Sequence, residues 1–374
     1  MVPERKLTVV QILPALESGG VERGTLEVGR YLVEHGHRSI VISAGGRLVE
    51  QLLREGSEHV QWDIGRKSLS TLRLIPRLRR FLRDNKVDIL HARSRLPAWI
   101  GYLAWKGMDP RTRPHFVTTV HGIYSINSYS AIMVRGEVVI AVSDTVRRYI
   151  LSNYPRCDPA RIRVIPRGVA PTEYLFGQQP PEAWLTAWND QYPELQGKRL
   201  LTLPGRITRL KGHMDFLRLI DACRRDGLPV HGLIVGGADP RKAGYLEELK
   251  TAAQALGIAQ DITFTGQRGD LKNILAISDI VFSLSNQPEA FGRTVLEALS
   301  LGIPVAGYGH GGVGELLEQL LPEGGVAVGD VTALTRLTKR WLSKPPVLTG
   351  MHAFTLENML AATLAVYCDI CRKT

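Results

Sequence analysis

The stretch Gln287-Pro288-Glu289-Ala290-Phe291-Gly292-Arg293-Thr294-Val295-Leu296-Glu297-Ala298-Leu299 puts two carboxylates eight residues apart at what reads as the start of a helix. An apolar strand, Ile280–Leu284, leads into it, and Ser285, Asn286 and Pro288 are loop residues. Val295, Leu296 and Leu299 then take on helical spacing. A helix start offers free N–H groups and a positive dipole end to an anion. At a rise of roughly 1.5 Å per residue, Glu289 and Glu297 stand on the order of 12 Å apart. Two acceptors at that separation, with an anion site between them, suit a ligand carrying hydroxyls on both sides of a diphosphate, as a nucleotide sugar does. A Glu pair at this spacing is equally compatible with two solvated helix residues, and context has to decide.

That context lies upstream. Leu200–Leu203 reads as a strand, and Pro204-Gly205-Arg206-Ile207-Thr208-Arg209-Leu210-Lys211-Gly212-His213 as a glycine turn and basic loop. A helix follows, patterned by Met214, Phe216, Leu217 and Ile220. The Arg206 guanidinium can fork onto phosphate oxygens, and Lys211 adds a point charge.

Together these segments resemble the E-x7-E and G-R-x(n)-K-G elements of the retaining family 4 glycosyltransferases, which have the GT-B fold. The resemblance implies that Glu289 contacts the donor sugar and Glu297 the ribose hydroxyls. It also implies that the Ala290–Gly292 loop binds the diphosphate through the amides of Phe291 and Gly292, and that Arg206 and Lys211 neutralise it as it leaves. Further segments follow in the family's order. The Gly19-Gly20 loop after the first strand is similar to one that borders donor phosphates and acceptor, with Glu22 at the acceptor. A tight turn needing positive φ would explain the same glycines. Thr119-Val120-His121-Gly122 resembles a T-x-H-G segment whose His contacts the donor sugar; a structural His is the alternative. Val139–Asp144 resembles a strand-to-Ser element. Ile165-Pro166-Arg167-Gly168-Val169 resembles I-P-N-G-V, with Arg167 in place of Asn. His91-Ala92-Arg93-Ser94-Arg95 looks like the segment of lipopolysaccharide-core enzymes, where Arg93 and Arg95 would meet acceptor phosphates or carboxylates; helix-start surface charge is the alternative. Gly266-Gln267-Arg268 matches a loop that reads the base, and His310-Gly311-Gly312-Val313-Gly314-Glu315 one that closes the donor pocket. The resemblance covers essentially the whole chain.

Composition sets limits. A chain of 374 residues with 44% hydrophobic content is comfortable for two globular domains. No apolar run approaches the roughly 18 residues of a membrane span, and no signal peptide leads the chain, so a cytoplasmic protein is expected. Four cysteines fit a reducing compartment. Cys368 and Cys371 form a lone C-x-x-C in a helical tail, read as two buried or indifferent thiols on one helix face rather than a zinc or redox site.

Charge is uneven. Residues 1–170 hold 27 Lys+Arg against 15 Asp+Glu, and the remainder 20 against 21. An anionic partner for the first half follows. The densest patch, from Arg66 to Lys86, interleaves arginines with Leu69, Leu72, Ile75, Leu78, Phe81 and Leu82. It reads as an amphipathic helix kinked at Pro76. Its basic face is either solvated or attached to anionic lipid or a phosphorylated acceptor, which would place the protein peripherally on the inner membrane's cytoplasmic face. Nucleic acid is disfavoured, because no aromatic-basic motif accompanies the patch.

Strands alternate with helical patterns throughout, which predicts two α/β, doubly wound Rossmann-like domains facing a cleft. The expected boundaries are 1–168 for an acceptor-side domain, 169–197 for a linker and 198–350 for the nucleotide-sugar domain. A C-terminal helix, 353–374, should cross back to the first domain. No Asp-x-Asp occurs, no metal-ligand cluster is seen, and no cofactor is expected. The chemistry expected from the resemblance is sugar transfer with retention from a nucleotide-diphosphate donor, UDP favoured, to an envelope glycan or glycolipid. A nucleotide-sugar epimerase of the same fold and a non-catalytic nucleotide-sugar-binding protein are the alternatives.

Overall fold

A computed structural model describes residues 5–17, 19–238 and 244–372. Met1–Glu4 and Ser18, which the sequence places at the chain start and in the first glycine loop, lie outside the described residues. The chain divides into two compact units, Met1–Pro166 with Glu357–Thr374, and Arg167–Leu356.

The first unit is built on a seven-stranded sheet. Its strands are β1 (Thr8–Ile12), β2 (Arg38–Ser43), β3 (Glu58–Gln61), β4 (Ile89–Ala92), β5 (His115–Val120), β6 (Val138–Ala141) and β7 (Ile162–Val164). Their order is β3-β2-β1-β4-β5-β6-β7, and every pairing is parallel. Parallel strands covered on both faces read as continuous apolar runs, and the central ones here are buried apart from Thr8 and His115 at the starts of β1 and β5. Gln11 is the polar exception in β1. Its amide donates to the Thr25 carbonyl and accepts from Arg93, which satisfies a group that burial would otherwise penalise.

The second unit carries β8 (Arg199–Pro204), β9 (Val230–Val235), β10 (Ile262–Gly266), β11 (Ile280–Ser283), β12 (Val305–Tyr308) and β13 (Gly325–Val326). The order is β10-β9-β8-β11-β12-β13, again all parallel. In both sheets the order reverses beside the first strand, between β1 and β4 and between β8 and β11. Ligands of doubly wound sheets bind at such switch points, outside the carboxyl ends of the strands.

The segment 169–197, expected as a linker, is part of the second unit. Its helix Glu182–Gln191 stacks Trp184 on Trp188 at 5.0 Å and sends Trp188, 3% exposed, into a core with Leu195, Leu200, Leu233, Val235 and Ile274. A tryptophan-bearing amphipathic turn has apolar area to bury, which a free linker lacks. Trp188→Ala should therefore cost about 3–5 kcal/mol. In calorimetric unfolding the transition should fall by on the order of 10 °C; a shift within about 2 °C would mean that the helix is peripheral.

The C-terminal helix Leu356–Arg372 joins the first unit from residue 357. Tyr367 is fully buried there, its hydroxyl 2.6 Å from His91 Nδ1, and Tyr31 donates to Glu357 at 3.0 Å. Cys368 and Cys371 are half-buried and form no disulfide, and burial pushes the Cys371 thiol up to about 11, which keeps it protonated.

The basic stretch differs from the single kinked helix read from its pattern. Leu69–Arg73 is a 3-10 turn and the α-helix is Leu74–Asp84. Pro76 is the third residue of that helix, where its missing N–H is no loss and no kink is needed. Leu78 and Leu82 are buried and Phe81 meets Trp62 edge-on, but Leu69 and Leu72 stand exposed.

Candidate functional site

At the switch point of the second unit, the loops after β8 and β11 are tied together. Asn286 N–H donates to the Leu210 carbonyl at 2.8 Å, and the Asn286 side-chain amide donates to the Arg209 carbonyl. Gly212 sits between them at φ +69°, where a Cβ would collide with the Leu284 carbonyl. Only glycine meets both demands.

This brings the two sequence motifs into contact. Lys211 Nζ donates to Glu289 Oε1 at 2.7 Å, and Ser285 Oγ donates to the same oxygen. His310 Nε2 lies 2.7 Å from the Ser285 carbonyl, so that nitrogen carries the proton. Behind Glu289, the Gly312 N–H donates to its carbonyl at 2.7 Å. A side chain at Gly312 would run into Phe291. The His310-Gly311-Gly312 turn thus backs directly onto the Glu289–Phe291 loop. Burial drives the Glu289 carboxyl up. The Lys211 charge, the Lys211 and Ser285 hydrogen bonds and nearby His310 outweigh it, and Glu289 ends below the ordinary glutamate range.

The helix after this loop spans Arg293–Ser300, with Gly292 as its N-cap at φ +95°. The N–H groups of its first turn have no partner within the helix and carry the positive dipole end. Phe291 is buried edge-on against Phe354, which fixes the loop from below. Glu297 is 6% exposed and accepts from Arg293 Nε at 3.0 Å, one helical turn back. Arg293 and Ser285 were not singled out in the sequence. The i,i+4 spacing of Arg293 and Glu297 was a readable signal; the Ser285 contact depends on how the loop folds back.

The cations of the β8 loop divide by partner. Arg209 forks onto Glu248, with Nη1–Oε1 at 3.0 Å. Burial lowers His213 to about 4, so it is neutral. Arg206 is exposed and, among the described residues, no carboxylate pairs with it. Arg206 and Lys211 remain the groups that could meet a phosphate. Arg268 is committed differently: its guanidinium is held bidentately by Asp270 at 2.9 and 2.7 Å, and Trp184 Nε1 anchors the same carboxylate. Its side chain is spent on this loop, which leaves the backbone of Gly266–Arg268 as the part open to a ligand.

In the first unit, Gly19 has φ −84° and caps the helix Gly20–Glu34, and neither glycine has positive φ. The tight-turn explanation for the pair is therefore withdrawn. A Cβ at Gly19 would instead collide with the Glu22 carboxylate, which folds back over the cap. Arg93 corrects a second expectation. It is 2% exposed, and its Nη1 donates to Gln11 Oε1 at 2.7 Å. It leaves β4 into the interior, because its guanidinium answers the buried Gln11, and it does not present to an acceptor at the surface. Arg95 is half-buried, 4.8 Å above the Tyr124 ring, with Nη1 3.2 Å from Ser130 Oγ. His121 follows β5, and the Tyr124 hydroxyl lies 3.3 Å from its backbone N–H.

Comparison with known proteins agrees with the two-sheet architecture. The family model described as Glycosyltransferase Family 4 matches residues 18–173, and that described as Glycosyl transferases group 1 matches residues 186–353. The crystal structure of a glycosyltransferase from Rickettsia africae ESF-5 is 31% identical, covers 99% of this chain and 100% of its own, and superposes with a TM-score of 0.86. Alr3699/HepE of Anabaena, in complex with UDP-glucose, shares the fold at 19% identity and a TM-score of 0.80, over 96% of this chain and 100% of that one. The lipopolysaccharide core biosynthesis mannosyltransferase LpsB of Rhizobium meliloti is 26% identical over 189 residues, 47% of this chain and 53% of LpsB. The chain spans 33%, 62% and 40% of the lengths of three other curated relatives it matches. With both family domains in sequence and a relative matched from end to end, the chain belongs to the family 4 glycosyltransferases and has their GT-B fold.

Proposed function

We propose that this protein transfers a sugar, with retention and without a metal, from a UDP-linked hexose or N-acetylhexosamine to a lipopolysaccharide-core or related envelope glycan. The observation that carries the reading is the Lys211–Glu289 pair at the switch point, set beside an open helix N-terminus. A nucleotide diphosphate placed there would meet the amides of Phe291 and Gly292, with Arg206 and Lys211 at its oxygens. Glu289 would hold the sugar hydroxyls and Glu297 the ribose. UDP is supported by the UDP-glucose complex of Alr3699/HepE, and the envelope acceptor by LpsB and the excess positive charge of the first unit.

The chemistry follows from charge. As the bond from the anomeric carbon to the phosphate oxygen breaks, negative charge gathers on the diphosphate, where fixed donors and cations stabilise it. The acceptor hydroxyl bonds to the anomeric carbon on the same face and passes its proton to the leaving phosphate oxygen. No enzyme carboxylate forms a covalent bond. His121 orients and polarises the sugar, as its family segment implies, and exclusion of water limits donor hydrolysis.

The test is product analysis with UDP-sugars and a lipid-A-core acceptor, with and without EDTA. Retention in the product and turnover indifferent to the chelator are expected. Inversion, or loss of turnover on chelation, would overturn the mechanism. Donor consumed without acceptor, giving an epimerised nucleotide sugar, would overturn the activity.

A further inference from the structure

The 3-10 turn Leu69–Arg73 has a surface that its fold does not use. Leu69 is 86% exposed and Leu72 49%. Thr71 between them is buried and donates to the Arg66 carbonyl at 2.7 Å, which fixes the turn with both leucines outward. Around them, Arg66, Lys67, Arg73, Arg77 and Arg80 are all exposed. Among the described residues no carboxylate pairs with Lys67, Arg73, Arg77 or Arg80, and Arg66 reaches Asp63 only at 4.0 Å. From residue 66 to 86 the chain holds eight basic residues and one acidic. A groove of about 420 Å³ opens beside the turn, lined in part by Gln61, Arg66, Ser70 and Arg77, with the Arg77 guanidinium stacked 4.5 Å above Trp62.

Two apolar side chains projecting from a ring of exposed cations, four of them without a carboxylate partner among the described residues, match an anionic bilayer surface. The leucines enter the acyl boundary while the cations meet phosphates. A soluble polyanion would satisfy the charges and leave the leucines in water. Position agrees with this. Because the first sheet is entirely parallel, the loop after β3 leaves it at the same end as the loops after β1 and β4. A membrane against the turn would lie beside the end of the sheet where an acceptor is expected.

We infer that the Leu69–Arg73 turn is a membrane-docking wedge, with Leu69 and Leu72 inserted among anionic phospholipids and Arg66, Lys67, Arg73, Arg77 and Arg80 on their headgroups. Its purpose, access to a lipid-anchored glycan, rests on the proposed envelope acceptor. Its test needs neither donor nor acceptor, so the two readings can fail separately.

The full chain is co-floated with vesicles of phosphatidylglycerol and phosphatidylcholine, or of phosphatidylcholine alone. Binding is expected only to the anionic vesicles. It should weaken as salt rises from about 0.1 to 1 M, where the screening length falls from about 10 to 3 Å. Arg66→Ser with Lys67→Ser and Arg73→Ser should weaken partition on the order of a hundredfold. Leu69→Ser with Leu72→Ser should weaken it at least tenfold, with thermal unfolding unchanged in both variants. Absence of vesicle binding, or binding indifferent to these residues, overturns the inference. Binding that responds to the charges but not to the leucines also overturns it, and points to a soluble phosphorylated ligand.

Discussion

Lys211→Ala is expected to lower kcat/KM by about 10²–10³-fold, the range found when one donor to a developing oxyanion is removed. The loss should fall on kcat as well as KM, because the charge matters most when the diphosphate leaves. The same change strands Glu289 in a site where burial already opposes its ionisation. Removing one partner of a buried pair costs about 3–5 kcal/mol, and both side chains here keep close to a third of their exposure, so about 1–2 kcal/mol is expected. Arg206→Ala separates the two effects: Arg206 is exposed and outside the pair, so it should lose turnover without losing stability. Steady-state kinetics with thermal unfolding on both variants makes the comparison. Equal turnover in wild type and Lys211→Ala would remove Lys211 from the reaction.

Glu289→Gln should separate the diphosphate from the sugar. Glutamine keeps the size of the side chain but releases Lys211 from its carboxylate. UDP alone should bind several-fold more tightly, while transfer from the UDP-sugar falls by about 10²-fold or more, within the range expected for a positioned polar group. A purely structural carboxylate would weaken both together, and calorimetry beside a transfer assay distinguishes the cases. The pH response has a definite sign. Glu289 has a folded pKa below its unfolded value of about 4.3. Its stabilising contribution is therefore complete above that value and is lost as pH falls through the folded pKa. Wild type should lose stability over this acid window and Glu289→Gln should lose less, as read from denaturation midpoints between about pH 3 and 6.

Most strands were legible because parallel strands buried on both faces leave unbroken apolar runs. Leu200–Leu203 and Ile280–Leu284 were read within one residue of the observed ends of β8 and β11. β3, Glu-His-Val-Gln, and the two-residue β13 carry no such run. Both are edge strands, and an edge needs less apolar surface. The basic turn was misread because Leu69 and Leu72 continue the helical period of Leu78 and Leu82, and periodicity does not report which leucines find a partner. At the site, residue type and spacing disclosed Lys211 and Glu289, but not that they would meet. That follows from the switch point, which sets the loops after β8 and β11 side by side although 78 residues separate the pair. Arg93 failed for a comparable reason: its destination was decided by Gln11, a polar residue inside an apolar strand whose need for a partner is visible only in the fold.

The central claim is that the loops after β8 and β11 hold a nucleotide diphosphate. Calorimetry of UDP, with GDP and NAD as controls, on wild type and on Arg206→Ala with Lys211→Ala tests it most directly. UDP should bind the wild type, NAD should not, and the double variant should lose the UDP signal; GDP binding in place of UDP would keep the site and change the donor. UDP binding undiminished in the double variant, or no nucleotide binding to the wild type at all, would contradict the account.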